Sequence, residues 1–301
     1  MPDKPLSPGL YLVATPIGNL GDITLRTLDV LRGVNRIACE DTHQTQKLLN
    51  HFQIAKPTIS YHEHNERERA AELIKALKAG ERIALVSDAG TPAISDPGAL
   101  LVREAIAAGV PVIPIPGANA AISALIASGL PSEQFQFLGF LPEKPGARRT
   151  YLERLAAAPR ESPQTLIFYE APHRILSTLA DLESAWGSAL RVAMARELTK
   201  IHEEFLRGTV AEVREQLAGR DRLRGEITLL IEAPAGSGST RAQAQRSTAE
   251  RISDRVARLQ AEAGPNMKID EKEALKRLAR ALGRSKSELY RELQRERASK
   301  R

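Results

Sequence analysis

A single cysteine, Cys39, stands among 301 residues. One thiol excludes internal disulfides and any cysteine-based zinc site, and both exclusions fit a cytosolic protein. Cys39 closes an apolar run and reads as a buried bystander rather than a nucleophile. Aromatic residues make up only 4% of the chain, which argues against a stacking surface for general single-stranded nucleic acid. No apolar run approaches the roughly 20 residues of a membrane span. The opening "MPDKPLSPGLYLV" has no charged segment followed by an apolar core, so neither a signal peptide nor a membrane partner is expected. The stretch "IALVSDAGTPAISDPG" (83–98) ends a strand-like run in a carboxylate and small residues. It carries neither the Gly-Lys-Ser/Thr of a phosphate-binding loop nor the G-x-G-x-x-G of a dinucleotide fold.

What is present is unevenly placed. Residues 236–301 hold 17 Lys/Arg against 9 Asp/Glu, a net of +8, while residues 1–235 carry a net of −2. A basic appendage on a nearly neutral body suggests a polyanionic partner, most simply nucleic acid.

The first half alternates strand-like and helix-like segments. Strands are expected at 10–14, 36–40, 83–87 and 111–115, with amphipathic helices between them. One of these, "DPGALLVREAIAAG", would start with Asp96 as N-cap and Pro97 at the first helical position. This alternation predicts a mostly parallel sheet covered on both faces. In the second half, strands at 134–140, 165–170, 190–195 and 225–233, with helices near 152, 179 and 213, predict a second α/β domain with a mixed sheet. The expected organisation is an α/β domain over 9–130, a second over 131–233, a linker with a helix start over 234–258, and a basic helix-turn-helix-like extension over 259–301.

In an open α/β sheet, ligands bind beyond the carboxyl ends of the strands. Four expected strands lead into "TPIGNLGD", "EDT", "DAGTP" and "PGANAA", all rich in small residues that let backbone approach a ligand closely. Asp88 would accept hydrogen bonds or complement a cation there, although Asp88, Gly90 and Pro92 alone would also make an ordinary tight turn.

The order "ATPIGNLGDITLRTL", "ACEDT", "YHEHNE", "ALVSDAGTPAISDPG", "PGANAAISAL", "GFLP", "TLIFYEAPHR", "ARELTK", "GEITLLIEA" resembles the tetrapyrrole methylase superfamily, over roughly residues 9–233. Within it, the chain is most similar to the branch that acts on ribosomal RNA of the small subunit. The resemblance implies two α/β domains with a cleft between them, a homodimer, and S-adenosylmethionine as cofactor. It implies 2′-O-methylation of a cytidine ribose in the decoding region of 16S ribosomal RNA. By the same resemblance Asp88, Ala89, Gly90 and Thr91 would lie along the cofactor, with Asn119, Ala120 and Ala121 at the start of a helix. Tyr169, Leu198 and Thr228 would complete the pocket. Where the family commonly reads Glu-Asp-Thr-Arg, this chain has His43 in "EDTH", a usually neutral group.

A ribose hydroxyl is a weak acid and needs a base as it attacks. Candidates are Glu40, Asp41, His62, Glu63, His64 and Glu170, with Lys200 eligible only if burial or a neighbouring cation depresses its pKa. His62 and His64 would share a strand face, but no third ligand completes a metal site. Substrate contacts are sought at Asn19, Arg26, His62, Asn65, Arg148, Arg149 and Arg174. Two other readings remain open. One is a small-molecule methylase of the same superfamily, against which the basic tail and the "YHEHNE" and "FYEAPHR" segments argue. The other is a ligand-sensing regulator that reads DNA with its tail.

Overall fold

A computed structural model of the chain describes residues 6–220 and 222–235, and beyond them only positions 274, 275, 290 and 293. The expected linker and helix-turn-helix extension therefore lie outside the described residues. The described residues within 6–156 and 161–235 belong to one compact unit.

The first sheet has five strands: β1 Gly9–Val13, β2 Arg36–Cys39, β3 Thr58–Ser60, β4 Arg82–Val86 and β5 Val112–Ile115. Their order is β3-β2-β4-β1-β5 and every pairing is parallel. Alternation within β1 sorts its side chains to opposite faces. Tyr11 and Val13 join Val30, Leu31 and Leu49, from α1 (Leu25–Gly33) and α2 (Thr42–His51). Leu10 joins Leu73, Leu77, Leu101 and Ala105, from α3 (Glu66–Lys78) and α4 (Ala99–Ala107). Both faces are thus buried, as parallel sheets require. Helix starts follow local chemistry, with Thr24 capping α1 through Thr27 N–H and Asp41 capping α2 through His43 N–H and Gln44 N–H.

The second sheet runs β6 Phe135–Phe140, β7 Gln164–Glu170, β10 Ile227–Ala233, β8 Arg191–Arg196 and β9 Glu204–Thr209, in that spatial order. The β6–β7 pair is parallel and the others antiparallel, a mixed sheet. One face packs on α6 (Pro145–Ala157), α7 (Ile175–Trp186) and α8 (Val210–Ala218) through Leu152, Leu179, Val213 and their neighbours. The other face, with Ile167, Ala193 and Leu230, packs on Ala121, Ala124 and Leu125 of α5 (Ala120–Ser128). Helix α5 follows the last strand of the first sheet and covers the second. Arg207 of β9 fastens its far end, donating from Nε and Nη2 to the Ala127 carbonyl at 3.1 and 2.7 Å.

Candidate functional site

The loops after β1 and β4 are tied together where the strand order changes direction. Thr15 N–H donates to Gly90 O at 2.8 Å and Gly90 N–H returns a bond to Thr15 O at 3.1 Å. Gly90 sits at φ 81°, a conformation that favours glycine. Asn119 caps α5 through Ile122 N–H and also donates from Nδ2 to Thr91 Oγ1 at 3.3 Å, while Thr91 Oγ1 donates to Ala118 O. The loops after β1, β4 and β5 therefore share one hydrogen-bonded rim.

Against this rim the second sheet closes a cavity of about 380 Å³, within the range of cofactor-sized sites. Ala89, Gly90, Thr91, Asn119 and Ala120 line one side, and Tyr169, Leu198 and Thr228 the other. Asp88 and Ala121 are not in its wall. The exposed Asp88 carboxylate accepts from Asp41 N–H at 3.1 Å, and Ala121 lies buried beneath the wall, its backbone facing the Tyr169 phenol. Burial first, then the nearby charges of Asp96 and Glu226, push the Tyr169 phenol up. Small side chains on one wall and Ile17, Phe140, Leu198 and Ile227 around the rest leave a lining with apolar surface and a few polar groups. That combination suits a nucleoside with an attached polar chain.

Other expected residues fall into three groups. Glu40, Asp41 and Asp88 gather at the ends of β2 and β4. Burial, then Asp88 and Glu63, raise the Glu40 carboxyl, which His62 partly relieves. His62 and His64 sit in a turn rather than a strand, their rings 5.8 Å apart, so the expected shared strand face does not exist. Asn65 holds that turn, accepting from His62 N–H and donating to Ser60 O. Asn19 and Arg26 lie exposed beyond β1, and Asn19 accepts from Gly21 N–H. His43 is exposed in the first turn of α2.

The geometry corrects four expectations. The Glu170 carboxylate is 0% exposed and is consumed by Ala171 N–H, Thr178 Oγ1 and Arg174 Nε, each at 2.7 Å, so no oxygen is free to act as a base. Arg174, held by Glu170 and by Leu141 O, is a structural partner rather than a phosphate contact. Arg148 is 3% exposed and its Nε bonds Asp181 Oδ2 at 2.7 Å, which places it inside the fold and away from RNA. Arg149 shares Asp181 yet stays 64% exposed. Lys200 bonds Glu197 at 2.8 Å and Glu226 at 3.1 Å. Burial lowers its pKa, but these two hydrogen bonds outweigh it and the net shift is upward, opposite to what a basic lysine needs.

Asp96 was expected to cap α4. Instead Gly98 occupies that position at φ 138°, and Asp96 turns into the cavity wall beside Ile94 and Ser95. Among the described residues no group of three His, Cys, Asp or Glu is arranged to hold a metal ion, and no helix is long and apolar enough to cross a membrane.

A family model described as "Tetrapyrrole (Corrin/Porphyrin) Methylases" matches residues 9–214. The chain belongs to the tetrapyrrole methylase family. Curated relatives include a protein of Halalkalibacterium halodurans named ribosomal RNA small subunit methyltransferase I, 55% identical over 74% of this chain and 75% of its own. A Micromonospora olivasterospora protein of the same name is 48% identical over 87% of this chain and 81% of its own. Among solved structures, diphthine synthase covers 74% of this chain and 89% of its own at TM-score 0.55 and 15% identity. The Thermus thermophilus uroporphyrin-III C-methyltransferase complexed with S-adenosylhomocysteine does so over 74% and 96% at TM-score 0.51 and 19% identity. These two solved structures share the fold of this chain. The family model ends at residue 214, before the strand that brings Thr228 to the cavity.

Proposed function

We propose that the protein is an S-adenosylmethionine-dependent methyltransferase that methylates ribosomal RNA of the small subunit. The acceptor is the 2′-hydroxyl of a cytidine in the decoding region, and the enzyme works as a cytoplasmic homodimer. The observation that carries this reading is identity of about half over most of the chain to relatives named ribosomal RNA small subunit methyltransferase I. The cavity supports it, since the residues that line it form a nucleoside-sized cradle of small side chains and apolar walls.

When bound, the cofactor supplies an activated methyl group, so the protein's task is chiefly to position the reactants. The Ala89–Thr91 backbone and Asn119 would hold the cofactor's polar groups, and Leu198 and Ile227 its apolar surface. The exposed Arg149 and Arg26 would meet phosphates in this reading. The basic residues 236–301 add the charge expected of an RNA partner.

Incubating the protein with labelled S-adenosylmethionine and small subunits from cells lacking the gene tests the reading. A single 2′-O-methyl group on one decoding-region cytidine is the expected product. Cofactor binding without transfer to subunits or to naked rRNA would overturn the substrate and leave the family intact.

A further inference from the structure

A cofactor seated among the small side chains and the buried Leu198 and Ile227 would occupy the cavity, so an acceptor ribose must come to its mouth and bring its base along. A base drawn out of an RNA stack loses its neighbours and needs a new surface to lie on. Among the described residues two aromatic rings line the cavity, Tyr169 and Phe140. Tyr169 is partly buried, whereas Phe140 is 60% exposed.

An irregularity in β6 puts Phe140 there. Phe137 pairs with Ile167 of β7 but Phe140 pairs with Tyr169, so three steps along one strand meet two along the other. The extra residue makes a bulge, and Gly139 within it has φ 66°, in the left-handed region. Before the bulge, Phe137 packs on the α5 side of the sheet and Leu138 on the side of α6 and α7. Unbroken alternation would send residue 140 the way of Leu138, into the helix-covered core. The one-residue shift instead turns Phe140 to the face of Tyr169 and the cavity. The two rings meet at 5.6 Å and 63°, an edge contact that leaves much of Phe140 open. The loop after β4 reaches the same bulge, where a Cβ on Gly139 would stand 3.5 Å from Ser95 Oγ. Between Ala93 at φ 66° and Ser95 at φ 59°, Ile94 is exposed in the same cavity wall.

We propose that Phe140 is the platform on which the base of the acceptor cytidine stacks, with Ile94 adding apolar surface beside it, a role that rests on the ribose methyltransferase reading. The ring replaces the stacking that the base gives up, and so holds the attached ribose at the cavity mouth, where the methyl group is presented. Every base has a π-face, so Phe140 positions the nucleotide without choosing it. The cofactor's adenine is a poorer occupant of this surface. An apolar ring gains more from the buried Leu198 and Ile227 than from a residue open to water. A chain with few aromatics thus spends a strand bulge on exposing one of them at its cavity.

The test is a double-mutant cycle. Wild-type protein, Phe140→Ala and Phe140→Trp are given normal small subunits and subunits rebuilt with an abasic ribose, its 2′-hydroxyl intact, at the acceptor position. Methylation is read as kcat/KM at saturating cofactor, and cofactor affinity is measured separately by calorimetry. On normal subunits Phe140→Ala should lower kcat/KM about 5- to 150-fold, with cofactor affinity changed by no more than about threefold. Phe140→Trp should recover most of that loss. On abasic subunits wild-type protein should lose a similar factor, and Phe140→Ala should lose little more. Undiminished wild-type activity on the abasic subunit overturns the proposal without any variant. So does a Phe140→Ala protein that keeps its rate, or one that loses as much on abasic as on normal subunits. Cofactor affinity that falls in step with the rate overturns it too and assigns the ring to the cofactor. Wild-type protein that binds cofactor but methylates no normal subunit instead sinks the substrate reading, and the platform with it.

Discussion

The backbone amide of Asp41 donates to Asp88 Oδ1 across 3.1 Å, joining the loops that follow the neighbouring strands β2 and β4. Asp88 is exposed, so its value to global stability is small, but its loop continues directly into the cavity wall at Ala89. Asp88→Ala should cost about 1 kcal/mol or less in unfolding free energy. Cofactor affinity should fall about tenfold, because the wall loses its tether. Calorimetry on the variant checks this, and unchanged affinity would mean that the Thr15–Gly90 pairing holds the loop unaided.

Asp181 divides two arginines that look alike in the sequence. Arg148→Ala leaves a buried carboxylate without its buried partner and should cost about 3–5 kcal/mol. Arg149→Ala removes an exposed contact and should cost about 1 kcal/mol or less, while weakening subunit binding if its guanidinium meets phosphate. Urea unfolding of both variants separates them, and equal losses would contradict the assigned burial.

Asp96 should be expensive to the fold. Its folded pKa of about 6 lies above its ordinary 3.8. The folded state therefore binds more protons across that window, stability falls as pH rises through it, and the cost stands in full above it. In the unliganded protein at neutral pH, Asp96→Asn should stabilise by about 1 kcal/mol, discounted for partial exposure. The gain should vanish once the pH drops below the ordinary aspartate range. Denaturation curves at several pH values decide it, and a destabilised variant at neutral pH would show the carboxylate to be held by a favourable partner.

Glu204 has the opposite sign. Hydrogen bonding to Arg220, opposed by burial and reinforced by Arg196, lowers its carboxyl from 4.5 to about 2. Its contribution is present above the ordinary value and is lost as pH falls toward the folded one. Arg220→Met should therefore flatten the acid limb of the stability curve between those values. An acid limb identical to wild type would remove the Glu204–Arg220 pair from the account.

The central strands were legible because buried strands in a covered sheet are short apolar runs bounded by turn residues, as "LYLVA" and "IALVS" are. The two strands that escaped sequence reading, β3 and β9, each lie at one edge of their sheet. β3 is only three half-buried residues, and β9 mixes Glu204, Arg207 and Gly208 with its apolar positions. Charged, short edges guard against wrong pairing and for that reason carry weak periodicity. In the site, the small-residue loops signalled a ligand rim, and Asn119 was placed where a helix begins. Asp96 was misplaced because Asp-Pro before an apolar helix is a strong capping pattern, and only the left-handed backbone at Ala93 and Ser95 diverts it. Arg148 and Glu170 could not be told from surface charges, since their partners Asp181 and Thr178 are distant in sequence or one helix away.

Strand β10 is the last in sequence of the ten strands among the described residues but occupies the middle of its sheet, hydrogen-bonded to β7 on one side and β8 on the other. The first sheet is complete by Ile115, so it can form while the rest is still being translated. Until β10 emerges, β7 and β8 each show an open edge to the crowded cell, a hazard for misassembly. The strand that closes those edges also delivers Ile227 and Thr228 to the cavity. A chain stalled before that point would keep a folded first half and lack part of the cavity wall, so cofactor occupancy doubles as a signal that synthesis of both sheets has finished.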